Sequence, residues 1–342
     1  MRRSLTHLSR HRSPTLTLTS LTLASAGGYS VTVTNRYGRA QSQTNYLVVV
    51  TPSSYVAAVA LDAPKDFWPL DETNAPTAFD YWGGNNGTQN GNVALGVAGP
   101  VPPVEAGFDA STTAYGFDGA SGYIELGTGP ALSGTTDFTL EAWVNTTSAA
   151  SGVIIQQRYT AGYNGEFEFE VNANGTLYFL LYGGGAYQFS FNSTNTAPLN
   201  DGNWHHVAAV RNGSNGYLYA DGKLVGAATG APAPLDPTFT VFIGADMRNY
   251  NTYFSGSLSS VAIYTHALSA AQLAHHAVIG ISGPPPVLSL VGRSLVWSSG
   301  TLLSSPTLGA SAVWTPVTGA ASPYPLPPTG ATGSAMFYRL KQ

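Results

Sequence analysis

Three glutamates at alternate positions are the strongest candidates for chemistry in the sequence. Glu166, Glu168 and Glu170 are separated by Phe167 and Phe169, and this period of two places the three carboxylates on one face of a β-strand. A retaining glycosidase needs two carboxyl groups about 5 to 5.5 Å apart, one as nucleophile and one as acid/base. The plainer interpretation is an amphipathic strand, with the phenylalanines toward the core and the glutamates on the other face.

A second group of polar side chains falls in a predicted loop between Gly244 and Ser255. A calcium ion takes six to eight hard oxygen ligands, and the side chains that we predict for such a site are Asp246, Asn249, Asn251 and Asp118. Asp and Asn also initiate turns without any metal. Functional residues concentrate on loops held by a rigid scaffold. We therefore expect ligand contacts on this loop from Tyr250, Tyr253, Asp246 and Asn249.

The remaining candidates for chemistry have structural interpretations. His205 and His206 follow Trp204 at a predicted strand start, and no third zinc ligand is indicated for them. Trp204 and Trp143 are predicted to be structural, because each lies in a core-forming segment. The sequence contains no nucleophile elbow, phosphate loop or dinucleotide fingerprint. We therefore predict no catalytic site.

Composition restricts the protein to a few classes. Hydrophobic residues make up 43% of the 342 residues and charged residues only 9%, which argues against a disordered chain. The 39 Gly, 22 Pro and 19 Tyr are typical of short strands joined by turns, and so of an all-β fold. A net charge of -4 argues against nucleic-acid binding, and no apolar run is long enough to span a membrane as a helix.

Alternation and turn signals predict individual strands. Residues 138–144 alternate apolar and other side chains, as a strand with one core face does. Residues 167–171 behave in the same way and lead through Asn174-Gly175 into a second apolar strand. Asp221-Gly222 is a hairpin turn, and Ser269 is a predicted helix N-cap near the end of this region.

Residues 67–280 resemble the laminin-G-like, or concanavalin-A-like lectin/glucanase, jelly-roll family. The resemblance rests on these segments: Trp68-Pro69-Leu70-Asp71-Glu72, Phe117-Asp118-Gly119, Tyr123-Ile124-Glu125-Leu126, Phe138-Thr139-Leu140-Glu141-Ala142-Trp143-Val144, Trp204-His205-His206-Val207-Ala208, Leu218-Tyr219-Ala220-Asp221-Gly222 and Ile243-Gly244. It implies an antiparallel two-sheet jelly-roll sandwich, in which a calcium ion at the rim is common.

Glucanases of this fold carry a strand motif of Glu, apolar, Asp, apolar, Glu. By this resemblance Glu166 would be the nucleophile and Glu170 the acid/base. Glu168 departs from the motif, because it stands where those enzymes have Asp. The departure favours the non-catalytic interpretation of the strand.

The flanking regions carry weaker resemblances. Residues 1–50 resemble the end of an immunoglobulin-like domain, in which Tyr29 matches the tyrosine corner, Val31 replaces the cysteine and Ser25 replaces the usual Asp. Residues 51–66 and the Pro-rich 281–287 are predicted linkers. Residues 288–342 are predicted to form a small C-terminal β module, similar to those of large bacterial surface or secreted proteins.

These features predict a non-catalytic binding or adhesion module, extracellular or at the cell surface, whose partner is a carbohydrate or an extracellular protein. Tyrosines in predicted loops could stack on sugar rings: Tyr159, Tyr163, Tyr182, Tyr187, Tyr250 and Tyr253. The alternatives are a structural spacer in a multidomain surface protein and, less favoured, a glycosidase. A shared exposed patch of these tyrosines would indicate binding, whereas scattered tyrosines would indicate a spacer.

Overall fold

The protein is described by a computed structural model that separates into two compact units, Met1–Ser53 and Ser54–Gln342. The structure describes residues 25, 27–47, 49, 51–74, 76–158, 164–194, 196–247, 252–297, 300–309, 312–326 and 336–341.

The first unit contains two antiparallel strand pairs within its described residues. The strands are β1 (Gly27–Tyr29), β2 (Thr32–Asn35), β3 (Gly38–Gln41) and β4 (Asn45–Leu47), with β1 paired to β4 and β2 to β3. The Tyr29 hydroxyl donates to the Ser25 carbonyl oxygen at 2.8 Å, a contact that a tyrosine corner makes. All four residues of β2 are exposed, and so is Val31 before it, so β2 buries no apolar face. The immunoglobulin-like assignment stays a prediction.

The second unit opens with helix α1 (Ser54–Leu61), and helix α2 (Ala270–Ser282) follows the last strand of its sandwich. The strands between the helices are β5 (Asp66–Trp68), β6 (Thr77–Ala78), β7 (Gly87–Asn90), β8 (Val93–Ala98), β9 (Thr113–Asp118), β10 (Tyr123–Gly127), β11 (Phe138–Asn145), β12 (Gly152–Arg158), β13 (Glu166–Val171), β14 (Leu177–Gly183), β15 (Ala186–Asn192), β16 (His205–Asn212), β17 (Asn215–Ala220), β18 (Lys223–Thr229), β19 (Thr240–Ile243), β20 (Ala245–Asp246), β21 (Thr252–Tyr253) and β22 (Ser255–Tyr264).

Two eight-stranded antiparallel sheets form the sandwich. The first sheet has the order β15-β14-β13-β12-β19-β10-β7-β6, and the second has the order β18-β17-β16-β11-β22-β9-β8 with β5 added against β22. Their inner faces share one apolar core, in which Phe138 of the second sheet and Phe167 of the first lie with ring centroids 5.6 Å apart. The prediction of an all-β, antiparallel two-sheet sandwich is confirmed.

A further apolar layer covers the outer face of the second sheet. It joins side chains of α1 and α2 to Trp143 of β11. The predicted linker 51–66 must be corrected here, because Tyr55 and Val59, one helical turn apart, are both buried. Ser269 caps α2 as predicted, but the helix extends to Ser282 and so into the predicted Pro-rich linker.

The rest of the second unit forms small sheets. Its strands are β23 (Ser289–Val291), β24 (Ser294–Val296), β25 (Thr301–Ser305), β26 (Thr315–Pro316), β27 (Tyr324–Pro325) and β28 (Phe337–Lys341). They pair as β23-β24-β27 and β26-β25-β28, and Leu295, Leu302 and Leu303 are buried among them. Among the described residues of the whole chain, no helix is long and apolar enough to cross a membrane.

Candidate functional site

The three glutamates of β13 lie on the outer face of the first sheet, because Phe167 and Phe169 between them belong to the inter-sheet core. Across the strand ladder, their neighbours on this face are Gln156 of β12 and Tyr178 and Tyr182 of β14. The glutamates thus lie on the side of the strand that an amphipathic strand predicts. They are not exposed to solvent, however, because each glutamate is less than a tenth exposed. The outer face of the sheet is therefore buried at β13.

Arg158, at the end of β12, binds the acidic side chains of this face. Its guanidinium lies 3.1 Å from each carboxylate oxygen of Glu166, 2.8 Å from Glu168 and 3.0 Å from Asp246. Only 1% of the Arg158 side chain is exposed. Burial acts to lower the pKa of Arg158, but the three carboxylates raise it overall. One guanidinium thus lies against the side-chain carboxyl oxygens of three acidic residues.

Glu170 completes the acidic row in a different protonation state. Burial, reinforced by the neighbouring Glu168 and by Asp246, raises the pKa of Glu170 to about 8. At neutral pH Glu170 is therefore a carboxylic acid, which can donate a hydrogen bond to Glu168. We name Arg158, Glu166, Glu168, Glu170 and Asp246 the acid–arginine cluster.

Gln156 lies beside this cluster with no exposed surface. Within the part of the chain that the structure describes, neither its amide nitrogen nor its amide oxygen has a hydrogen-bond partner. Leaving a buried polar atom unpaired costs about 1 to 3 kcal/mol. Other buried atoms of the described sandwich, such as Trp143 Nε1 and His206 Nδ1, also have no such partner, so the Gln156 amide does not by itself mark a ligand site.

Toward the β15 edge, the same face becomes aromatic and accessible. The rings of Tyr182 and Tyr187 meet edge to face at 4.8 Å, and Tyr187 is 55% exposed. The Tyr178 hydroxyl lies 2.8 Å from the Ser190 hydroxyl. Of the six tyrosines singled out in the sequence, Tyr182 and Tyr187 form this patch. Three others lie outside the described residues: Tyr159, Tyr163 and Tyr250.

The predicted ligand loop contributes one residue to the cluster. Asp246 belongs to the short β20–β21 hairpin, and its ion pair with Arg158 ties that hairpin to the sheet face. Tyr253 packs on a small buried group that includes Phe242 and Met247. The other predicted contacts, Asn249, Tyr250 and Asn251, lie outside the described residues. The assignment of the site to this loop stays a prediction.

Asp118 has a local structural role. Its carboxylate accepts the backbone N–H groups of Ala120, Ser121 and Gly122 at 2.8 to 3.0 Å. Slight burial opposes ionisation, but these donors lower the pKa of Asp118 overall. Across the described residues, Asp118 and Asp246 join no group of three His, Asp or Glu side chains suited to a metal. Calcium binding therefore stays a prediction.

A second polar cluster, which the sequence did not indicate, lies under the helices. Glu141 of β11 is fully buried and accepts hydrogen bonds from Tyr55, His206, Tyr264 and His276 at 2.7 to 3.1 Å. Burial opposes its ionisation, yet the two histidines hold the pKa of Glu141 well below its ordinary value. The carboxylate is therefore charged and fully hydrogen-bonded.

His276 connects this cluster to helix α1. Its Nδ1 faces Glu141 and its Nε2 lies 3.0 Å from Asp62. Burial acts to lower the pKa of His276, but Glu141 and then Asp62 raise it to about 8. Ligand-type atoms of Glu141, His206 and His276 lie within 4.8 Å of one another. Four hydrogen bonds already occupy the carboxylate, so we interpret the group as a structural clamp.

The two predicted structural tryptophans differ in burial. Trp143 is fully buried and stacks edge to face against Tyr55 and Phe108. Trp204 is only partly buried against the same layer. Next to it, the His205 imidazole lies between Asp201 and Asp221. Trp204 therefore contributes less to the core than its sequence context indicates.

Comparisons with known proteins agree with the sandwich. Residues 118–274 match the model of the concanavalin A-like lectin/glucanases superfamily, which confirms the resemblance seen in the sequence. No curated protein sequence matches the chain.

Among solved structures, the chain is similar to the CBM40 of the Ruminococcus gnavus IT-sialidase bound to alpha2,3 sialyllactose (22% identity, 44% of this chain and 85% of that chain, TM-score 0.37). It is also similar to domain 4 of AbnA, a GH43 extracellular arabinanase from Geobacillus stearothermophilus (16% identity, 63% and 98%, TM-score 0.46). A botulinum neurotoxin type C structure gives 11% identity, 76% and 69% coverage and a TM-score of 0.46.

Proposed function

We propose that the sandwich, whose residues 118–274 match the model of the concanavalin A-like lectin/glucanases superfamily, is a non-catalytic carbohydrate-binding module. Its ligand surface is the outer face of β12–β15. The observation that carries the proposal is the accessible Tyr182–Tyr187 pair, which lies on the same sheet face as the acid–arginine cluster. Carbohydrate is favoured over a protein partner, because this patch is small and combines aromatic with polar groups.

The two parts of the face suit different parts of a sugar. The tyrosine rings offer apolar surfaces for stacking on the C–H face of a pyranose. Ser190 and Asn192, both exposed on β15, supply hydroxyl and amide groups for the ring edge. A few polar groups placed around an apolar surface fix the orientation of a small ligand.

Catalysis is disfavoured by the state of Glu166. Both of its carboxylate oxygens lie 3.1 Å from Arg158, and the residue has no exposed surface. A nucleophile must reach the reacting carbon with a free lone pair, and this arrangement points those lone pairs at a cation. The protonated Glu170 resembles a general acid in pKa alone. We therefore keep the glutamates as supports of the binding face.

Two finer parts of the prediction accompany this proposal. A polysaccharide partner suits a location at the cell surface or outside the cell. Asp246 links the predicted loop to the binding face through Arg158, so we infer that the loop borders the same ligand. The competing function is a structural spacer, in which the Tyr182–Tyr187 pair binds no ligand.

The test is a binding screen on an array of neutral and sialylated glycans, with and without calcium. The double variant Tyr182→Ala/Tyr187→Ala should lose at least about tenfold in affinity, which corresponds to about 1.4 kcal/mol. Tyr37→Ala is the matched control, because Tyr37 is 80% exposed in the first unit. Unchanged affinity of the folded double variant would remove this face from the binding site. Loss of binding in EDTA would establish the calcium requirement.

A further inference from the structure

The connection between β6 and β7 exposes three aromatic side chains in four residues. Phe79 is 43% exposed, Tyr81 45% and Trp82 49%. We name residues 79–86 the aromatic turn. Single exposed apolar residues are common on any protein, but a group of large aromatics on one turn is a feature of binding surfaces.

A single buried carboxylate fixes the backbone of the aromatic turn. Asp80 accepts the N–H groups of Phe67, Trp82, Gly83 and Asn85 at 2.8 to 3.1 Å. Four donors on one carboxylate hold the turn in one conformation. The exposed rings are thus presented by a rigid backbone, which lowers the entropy lost when a ligand binds.

Close packing at Gly83 adds to this rigidity. A Cβ atom built there would lie 2.2 Å from Asp66 Oδ1 and 2.5 Å from the Lys65 carbonyl oxygen, so only glycine fits. Asp80 also donates its backbone N–H to the Asn86 side chain at 2.9 Å. The exposure of the aromatic side chains therefore does not come from a loosely held loop.

The polar surroundings of the aromatic turn are acidic. Glu72 accepts the Phe79 N–H at 2.7 Å, and burial, followed by the nearby Asp71 and Glu72 carboxylates, raises the pKa of Tyr81. The nearby Lys65 ammonium donates to the carbonyl oxygens of Gly129 and Ala131. Acidic groups around aromatic faces disfavour an anionic ligand, whereas they accept hydrogen bonds from the hydroxyl groups of a neutral sugar.

We propose that the aromatic turn is a second saccharide-binding site, which stacks neutral sugar rings on Trp82 and Tyr81. This site is separate from the tyrosine patch. Five inter-strand steps lie between β14 and β7, and seven lie between β15 and β6. At about 4.8 Å for each step, the two sites are roughly 24 to 34 Å apart across the sheet.

Two sites at this distance make the module bivalent, a consequence that rests on the proposed function. One polysaccharide chain, or two neighbouring chains, would occupy both sites at once. Binding the second site is then intramolecular, so the apparent affinity for a polymer exceeds that of either site alone. Short oligosaccharides would gain no such advantage.

The experiment compares four proteins by pull-down on insoluble cellulose, chitin, mannan and curdlan. They are the wild type, Tyr81→Ala/Trp82→Ala, Tyr182→Ala/Tyr187→Ala and the combined quadruple variant. Thermal unfolding checks that each variant is folded. Phe79→Ala and Trp82→Ala alone serve as milder variants if the Tyr81→Ala/Trp82→Ala protein unfolds, and Tyr37→Ala is the exposed-tyrosine control.

The Tyr81→Ala/Trp82→Ala protein, the turn variant, should lose at least about fivefold in affinity for a polymer that binds the wild type. The quadruple variant should lose more affinity than either double variant. Full retention by the turn variant, with loss only in the Tyr182→Ala/Tyr187→Ala protein, overturns the second site and leaves the proposed function intact. The reverse result overturns the sheet-face site and supports the aromatic turn. Absence of wild-type binding to all four polymers overturns the aromatic turn, and the glycan array then decides the sheet face separately.

Discussion

On the second sheet, Glu141 points outward into a layer made by α1 and α2, where four side chains donate to it. On the first sheet, Glu166 and its neighbours also point outward, around Arg158, but Gln156 beside them has no partner among the described residues and Tyr187 is open to solvent. Buried polar atoms without a partner among the described residues occur on both faces, since Trp143 Nε1 and His206 Nδ1 are such atoms as well. The two faces differ in their covering, because helices pack over the Glu141 side whereas the tyrosine pair of the first sheet is accessible. The comparison therefore separates a clamp from a binding face.

The outer face of the second sheet, which α1 and α2 cover, should be the more sensitive to truncation of a buried side chain. Trp143→Ala should lower the free energy of unfolding by about 3 to 5 kcal/mol, because the fully buried indole leaves a large cavity. Trp204→Ala, at a partly buried position, should cost no more than about 2 kcal/mol. Urea denaturation of both variants measures the difference. Equal losses would show that Trp204 is as well packed as Trp143.

Removing the central charge of the clamp should cost nearly as much. Glu141→Gln leaves the protonated His276 buried without its main counter-charge, and we expect a loss of about 3 kcal/mol. Glu125→Gln, on an exposed strand position of the first sheet, is the matched control and should change stability by less than about 0.5 kcal/mol. A Glu141→Gln variant as stable as this control would mean that the clamp contributes packing alone.

The clamp should also give stability a defined pH dependence. The pKa of His276 is raised to about 8 in the folded state, so its stabilisation is complete below about 6.5 and is lost as the pH rises through 8. The pKa of Glu141 is depressed, so its contribution is present above about 4.3 and is lost in acid. His276→Gln should therefore cost about 2 kcal/mol more at pH 6 than at pH 9, and the exposed His275→Gln should show no such difference.

On the first sheet, Glu170 should change the free energy of unfolding with pH in the direction opposite to Glu141. Its folded pKa is raised to about 8, so the wild type loses stability as the pH rises from about 4.3 toward 8, by at most about 1.4 kcal/mol per pH unit. Glu170→Gln removes this loss. The variant should match the wild type near pH 4 and become progressively the more stable of the two up to pH 8, by at most about 5 kcal/mol. Parallel stability curves from pH 4 to 8 would contradict a protonated Glu170.

Part of this fold could be predicted from the sequence, because strand alternation depends on nearest neighbours. The pattern of β11 indicates one core face, yet it could not indicate that the face carrying Glu141 and Trp143 is buried as well. That burial depends on α1 (Ser54–Leu61), whose residues are apolar apart from Ser54 and the Tyr55 hydroxyl, and whose sequence shows no clear amphipathic period. The sequence did carry one signal of a covering layer, because Glu141 and the large aromatic Trp143 lie on the same face of β11.

The binding face was predicted only in its local part. The alternation of side chains along a strand places the glutamates of β13 together. Glu166 and Asp246, however, are 80 positions apart in the sequence and meet through Arg158 on a third strand. Strand order and register decide that contact, and neither can be read from spacing along the chain. The aromatic turn was missed for the same reason, since Phe67 and Asp80 meet only through tertiary pairing.

The position of β22 has a consequence for how the chain folds. This strand is the last of the sandwich in sequence, yet it lies inside the second sheet, where it pairs with β11, β9 and β5. Until residue 264 has left the ribosome, β9 and β11 each lack a neighbour and expose unpaired backbone. Such long-range pairing slows folding, and an exposed strand edge favours association with other chains. A nascent chain that ends before β22 should therefore be the species most dependent on a chaperone.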